Sequence, residues 1–108
     1  MEVEVVQTFG MKSAGGAISG QKAVTTAGTA VALGTGKVKC ALMVKAKPAN
    51  TGYIYLGNDG ADDVTSANGI ILSAGDSVIF AYVEELADIY VDSSVSADGV
   101  GWIALEVR

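Results

Sequence analysis

The sequence predicts an all-β fold, a sandwich or jelly roll of about eight short strands. Three observations carry that expectation. Apolar and polar residues alternate with period two, most clearly over residues 37–47. Fourteen Gly and repeated Asp/Asn clusters separate short apolar segments, the pattern of strands joined by turns. Val (14) and Ala (16) dominate the apolar residues, and long runs of Glu, Lys, Leu and Gln are absent.

Residues 2–9 alternate at first and read as a strand or an extended arm. Residues 10–20 hold four Gly and two Ser in eleven positions, so they have little to bury and much backbone freedom to lose. They read as an irregular connection, either a surface loop or an arm that orders only against a neighbouring subunit. Residues 22–33 read as one strand broken near Gly28 or as two short strands, and residues 34–36 as a turn. In residues 37–47, Val38, Cys40, Leu42, Val44 and Ala46 share one face; Lys37, Lys39, Ala41, Met43, Lys45 and Lys47 share the other. One face is buried and the other wet, and Cys40 reads as a small buried hydrophobe.

Residues 48–52 end that strand in a turn, and residues 53–57 form the next. A polar acidic loop follows over 58–69, then a short strand at 70–72 and a turn at 73–76. In residues 77–83, Val78, Phe80 and Tyr82 alternate with Ile79, Ala81 and Val83. Both faces are apolar, which suits a central strand or one that meets another subunit. Residues 84–88 read as one helical turn or an irregular corner, 89–91 as a strand and 92–99 as a Ser/Asp/Gly loop. Residues 100–107 form the last strand, with Trp102 facing opposite to Ile103, Leu105 and Val107.

One domain of 108 residues accommodates all of this, divided as an arm over 1–20 and a sandwich over 21–108. Hydrophobic residues make up 50% and charged residues 18%, which argues against disorder. There is no His and a single Cys, which removes most His-based catalysis, most zinc sites and any intramolecular disulfide. No catalytic residue and no cofactor is assigned. The net charge of −5 argues against nucleic acid as a partner. It is uneven, with six Lys against two Glu in residues 1–50 and one Arg against ten acids in residues 51–108. The halves could interleave in one fold, or pair with copies of the chain or with a large partner. No apolar run is long enough for a membrane helix, and the acidic start is unlike a signal peptide. Synthesis in a cytoplasm is the expectation.

Four constellations could bear chemistry. Asn58, Asp59, Asp62 and Asp63 offer oxygen ligands for Ca²⁺ but lack EF-hand spacing, so a solvated turn is the simpler account. The paired carboxylates Glu84-Glu85 and Asp62-Asp63 point to opposite sides if extended, which does not suit glycoside hydrolysis. The lysine row at 37, 39, 45 and 47 is a solvated sheet face or a contact for an acidic surface. Tyr53, Tyr55, Tyr82, Tyr90 and Trp102 could line a sugar-binding face, or else serve a core or subunit interface.

The order of elements from residue 50 onward carries a resemblance. Residues 50–52 lead into Tyr53-Ile54-Tyr55-Leu56-Gly57; the acidic loop follows, then Leu72-Ser73-Ala74-Gly75-Asp76-Ser77-Val78, then Leu86-Ala87-Asp88-Ile89-Tyr90-Val91, and a closing strand around Trp102. Over roughly residues 22–107 this resembles the small β-sandwich structural proteins of tailed bacteriophages that decorate or stabilise heads or form fibres. The resemblance implies a jelly-roll-like antiparallel β-sandwich with an extended N-terminal arm, a homo-oligomer with a trimer favoured, and a place on the virion surface. It implies a capsid decoration protein whose partner is the major capsid protein; the alternative is a fibre module that recognises a host-surface glycan or receptor. No catalytic residues come with it. The expected oligomer interface is Val78, Ile79, Phe80, Ala81, Tyr82 and Val83. The expected capsid-contact arm carries Val3, Val5, Phe9, Met11 and Ile18.

Overall fold

A computed structural model describes residues 14–58 and 68–107. Among them eight strands are formed: β1 (Ala14–Ala23), β2 (Val31–Ala32), β3 (Lys37–Ala46), β4 (Ile54–Gly57), β5 (Ile70–Leu72), β6 (Ser77–Glu85), β7 (Tyr90–Ser93) and β8 (Gly99–Val107). A 3₁₀ turn, Leu86–Asp88, lies at the corner between β6 and β7, where the sequence allowed one helical turn. No helix of the described residues is long and apolar enough to cross a membrane.

The strands form two four-stranded sheets, in the orders β1-β8-β3-β6 and β2-β7-β4-β5, with every pair antiparallel. The fold is an all-β sandwich. Its connectivity is nested: β1 pairs β8, β2 pairs β7, β3 pairs β6 and β4 pairs β5. The chain changes sheet at every connection except that between β4 and β5.

The core lies between the sheets. Val38, Leu42, Val44 and Ala46 of β3 are buried, as their alternation requires, and meet Ile54 and Leu56 of β4 and Val91 of β7. Each fully buried Val, Leu or Ile contributes about 1.5–3 kcal/mol over its exposed state. Ile18, Val78, Phe80 and Trp102 pack against this cluster from the first sheet.

Two polar devices close the ends. Asp98, 7% exposed, accepts hydrogen bonds from the Thr51 and Gly52 amides at 3.1 and 2.8 Å. Beside it Asn50 donates through Nδ2 to the Gly99 carbonyl and accepts from the Gly99 amide, so the turn after β3 is clamped to the start of β8. At the β5–β6 turn, Asp76 accepts from the Ser73 amide, and Gly75 adopts φ +87°, a left-handed conformation that favours glycine.

Two expectations are corrected. Residues 14–20 are not an irregular connection. They form most of β1, which pairs with β8 from Ala14↔Val107 to Ala23↔Gly99 with one register shift between Ala14 and Gly16. The boundary expected after Gly20 therefore falls inside a strand. Strand pairing is satisfied by backbone groups, so the glycines did not preclude it, and Trp102 fills the space that Gly20 leaves. The second concerns β6: of its two readings, a central strand or one that meets another subunit, the first does not hold, because among the described residues β6 lies at the edge of its sheet.

Candidate functional site

The feature that stands out is the outer surface of the first sheet. Register places Ser19, Ile103, Met43 and Ile79 in one row across β1, β8, β3 and β6. Ile79 is 68% exposed and Ile103 46%. Ala17 and Ala41 lie beside this row, and together these small and branched side chains border a concavity of about 300 Å³. A contiguous exposed apolar surface of this kind differs from the single scattered apolar side chains usual on a protein surface.

Lys45 is exposed on this face beside the half-buried Met43, while Lys37 is exposed at the other end of β3, beyond the register shift between Lys37 and Cys40. Lys37 stands opposite Glu85 in the β3–β6 register, a favourable cross-strand charge pairing. The four lysines therefore do not form the single row that strict alternation implies, and Lys47, beyond the strand end, is half-buried.

The expected interface set divides in two. Val83 is buried, and Val78 and Phe80 pack against the core. Ile79, Ala81 and Tyr82 face outward. The strict alternation read from the sequence fails between Phe80 and Val83, because Cys40 pairs with Val83 while Leu42 pairs with Phe80. The extra β6 residue is a bulge, and it turns both Ala81 and Tyr82 to the outside. The Tyr82 hydroxyl donates to the Glu84 carboxylate at 3.3 Å. Of the arm residues, Ile18 lies in β1 against the core, while Val3, Val5, Phe9 and Met11 lie outside the described residues.

Tyr55 of β4 lies on the outer face of the second sheet and is half-buried, and Tyr53, which immediately precedes the strand, is half exposed. Tyr55 stands between Asp92 of β7 and Ile71 of β5 in register. Asp92 is buried and accepts from the Gly28 and Ser93 amides, which makes it a structural carboxylate. No group of three or more His, Cys, Asp or Glu that could hold a metal ion occurs among the described residues. The acidic residues 59–63 lie outside them.

Ala17, Ala41, Met43 and Ile103 were not among the residues picked out from the sequence as a contact surface. The signal for two of them was present: Ala41 and Met43 interrupt an otherwise charged face of β3. Comparisons with protein-family models, with curated proteins and with solved structures give no match.

Proposed function

We propose that this chain is a virion structural protein: a capsid decoration or stabilisation protein of the jelly-roll type that assembles as a trimer on the head of a tailed bacteriophage and takes the major capsid protein as its partner. The observation that carries the proposal is the apolar outer face of the first sheet, centred on Met43, Ile79 and Ile103. Its chemistry suits adhesion to another folded surface. The nested strand order supports the jelly-roll part of the reading. Small domains gain most from association, because assembly removes apolar surface that they cannot cover alone.

The second reading, a fibre module that binds a host glycan, is favoured by Tyr55 on the outer face of the second sheet and by Tyr53 immediately before its strand.

Antibody labelling of purified particles made from the genome that encodes the chain decides between them. Dense label over the head surface is the expected result. Particles without the chain overturn the proposal. Label confined to fibre tips, with saturable glycan binding by the purified chain, replaces it with the second reading.

A further inference from the structure

We infer that copies of this chain join edge to edge through the first sheet, residues 18–21 of β1 in one copy pairing antiparallel with residues 77–80 of β6 in the next. This rests on the oligomeric part of the proposed function and names the contact that builds it.

The first argument is polarity. Among the described residues β1 and β6 are the two edges of their sheet, and no strand lies beyond either. An edge strand presents backbone N–H and C=O groups that a further strand can pair. The four strands alternate in direction, so β1 and β6 run opposite ways. A second copy set beside the first in the same orientation therefore brings its β1 antiparallel to β6, and the sheet continues without a change of pattern.

The second argument is the side chains that this brings together. Ile18, Ala104, Leu42 and Phe80 form one row across the sheet. Lys22, Val100 and Ala46 form another, and the Ala46 amide donates to the Asp76 carbonyl at 2.8 Å, which puts Asp76 at the far end of the row that starts at Lys22. A copy added without stagger extends these rows. Ile18 falls beside Phe80 of its neighbour, both half-buried and packed on the core, and Lys22 falls beside Asp76. A stagger of one residue would turn the core side of one sheet to the outer side of the next. A stagger of two would set Lys22 beside Val78 or Ala74 instead.

The third argument is charge. Lys22 is the only charged residue of β1, whereas Asp76 and Glu84-Glu85 stand at the two ends of β6, which holds no Lys, Arg or Pro. An inward-pointing charge on an edge strand deters indiscriminate pairing. Lys22, half-buried and level with the buried Val100, is such a charge, and it suits a partner that offers a carboxylate at its level. Asp76 offers one: its Oδ2 accepts the Ser73 amide at 3.0 Å, and a carboxylate has room for further donors. Two β6 strands paired antiparallel with each other would bring the Asp76 end of one to the Glu84-Glu85 end of the other, and like charges oppose that contact. The bulge between Phe80 and Val83 confines the ladder to the first part of β6. The two edges are different surfaces, so the contact is head-to-tail and closes into a ring where the rotation allows, as in a trimer.

The test uses the full chain with Cys40→Ser. One tagged population carries Gln21→Cys and a differently tagged population carries Ser77→Cys. Both positions are exposed; they fall side by side in the proposed contact but at opposite edges of the sheet within one copy. Mixed and mildly oxidised, the populations should form a disulfide that joins the two tags. Separately, Lys22→Asp and Asp76→Lys should each weaken association about tenfold or more in sedimentation, with an unchanged circular dichroism spectrum, and the chain carrying both should recover it. The inference is overturned by the absence of a bond between the tags, by bonds only between two Ser77→Cys chains, by association that the single reversals leave unchanged, or by a double reversal that recovers nothing. Any of these leaves the head-surface assignment standing, whereas particles lacking the chain overturn that assignment whatever the cross-link shows.

Discussion

The indole of Trp102 occupies the space where a side chain at Gly20 would stand. The two residues are paired across β1 and β8, and a Cβ on Gly20 would come within 2.8 Å of the ring. The ring packs against the core and covers the bare backbone of its neighbour, so one glycine and one large aromatic act as a single packing unit. Gly20→Val should destabilise the fold by about 1–3 kcal/mol through overpacking. Urea unfolding followed by Trp102 fluorescence measures it, and an unchanged midpoint would mean that the ring moves aside freely.

The Asp98 carboxylate holds two amides of the opposite turn. Asp98→Ala leaves the Thr51 and Gly52 amides without this acceptor, and the expected loss is about 1–3 kcal/mol. Asn50→Ala removes the neighbouring clamp on Gly99 and should cost a similar amount. These groups belong to one cluster, so the double variant should depart from additivity by more than about 0.5 kcal/mol. Chemical denaturation of the four chains supplies the cycle.

Adjacent residues of β6 should separate stability from assembly. Phe80→Ala removes a ring packed on the core, with an expected loss of about 3 kcal/mol. Ile79→Asp alters an exposed position and should change monomer stability by no more than about 0.5 kcal/mol. Equal losses in thermal unfolding would contradict the facing assigned to this strand.

Truncation locates the true start of the sandwich. Removal of residues 1–20 deletes most of β1 and uncovers the edge of β8, so the chain should lose its cooperative thermal transition. Removal of residues 1–13 spares β1 and should retain that transition. If both truncations melt alike, β1 contributes little to the sheet.

These contrasts show what could be read from residues alone. The buried face of β3 was legible at Val38, Leu42, Val44 and Ala46, because one dry side and one wet side impose strict alternation. The helical turn at Leu86–Asp88 was legible as an alternative. β1 was not, because its glycines carry no side-chain pattern and its partner lies at the far end of the sequence. The bulge in β6 was not either: it adds one residue without any Gly or Pro to mark it, and so exchanges which side chains face the core from there on. The contact surface was partly legible. Ile79, Ala81 and Tyr82 come from one strand, but Met43 and Ile103 join them only through cross-strand register, which no single segment encodes.

The nested pairing has a consequence for synthesis. A ribosome delivers β1 well before β8, yet each is the other's direct partner, and β2 likewise waits for β7. Among the described strands, β4 and β5 alone are both consecutive and paired, so they can join soon after they emerge. The nascent chain must therefore hold sticky, unpaired strands in reserve until its last strand is free, a vectorial delay that favours slow closure and makes the half-made molecule the stage most exposed to aggregation.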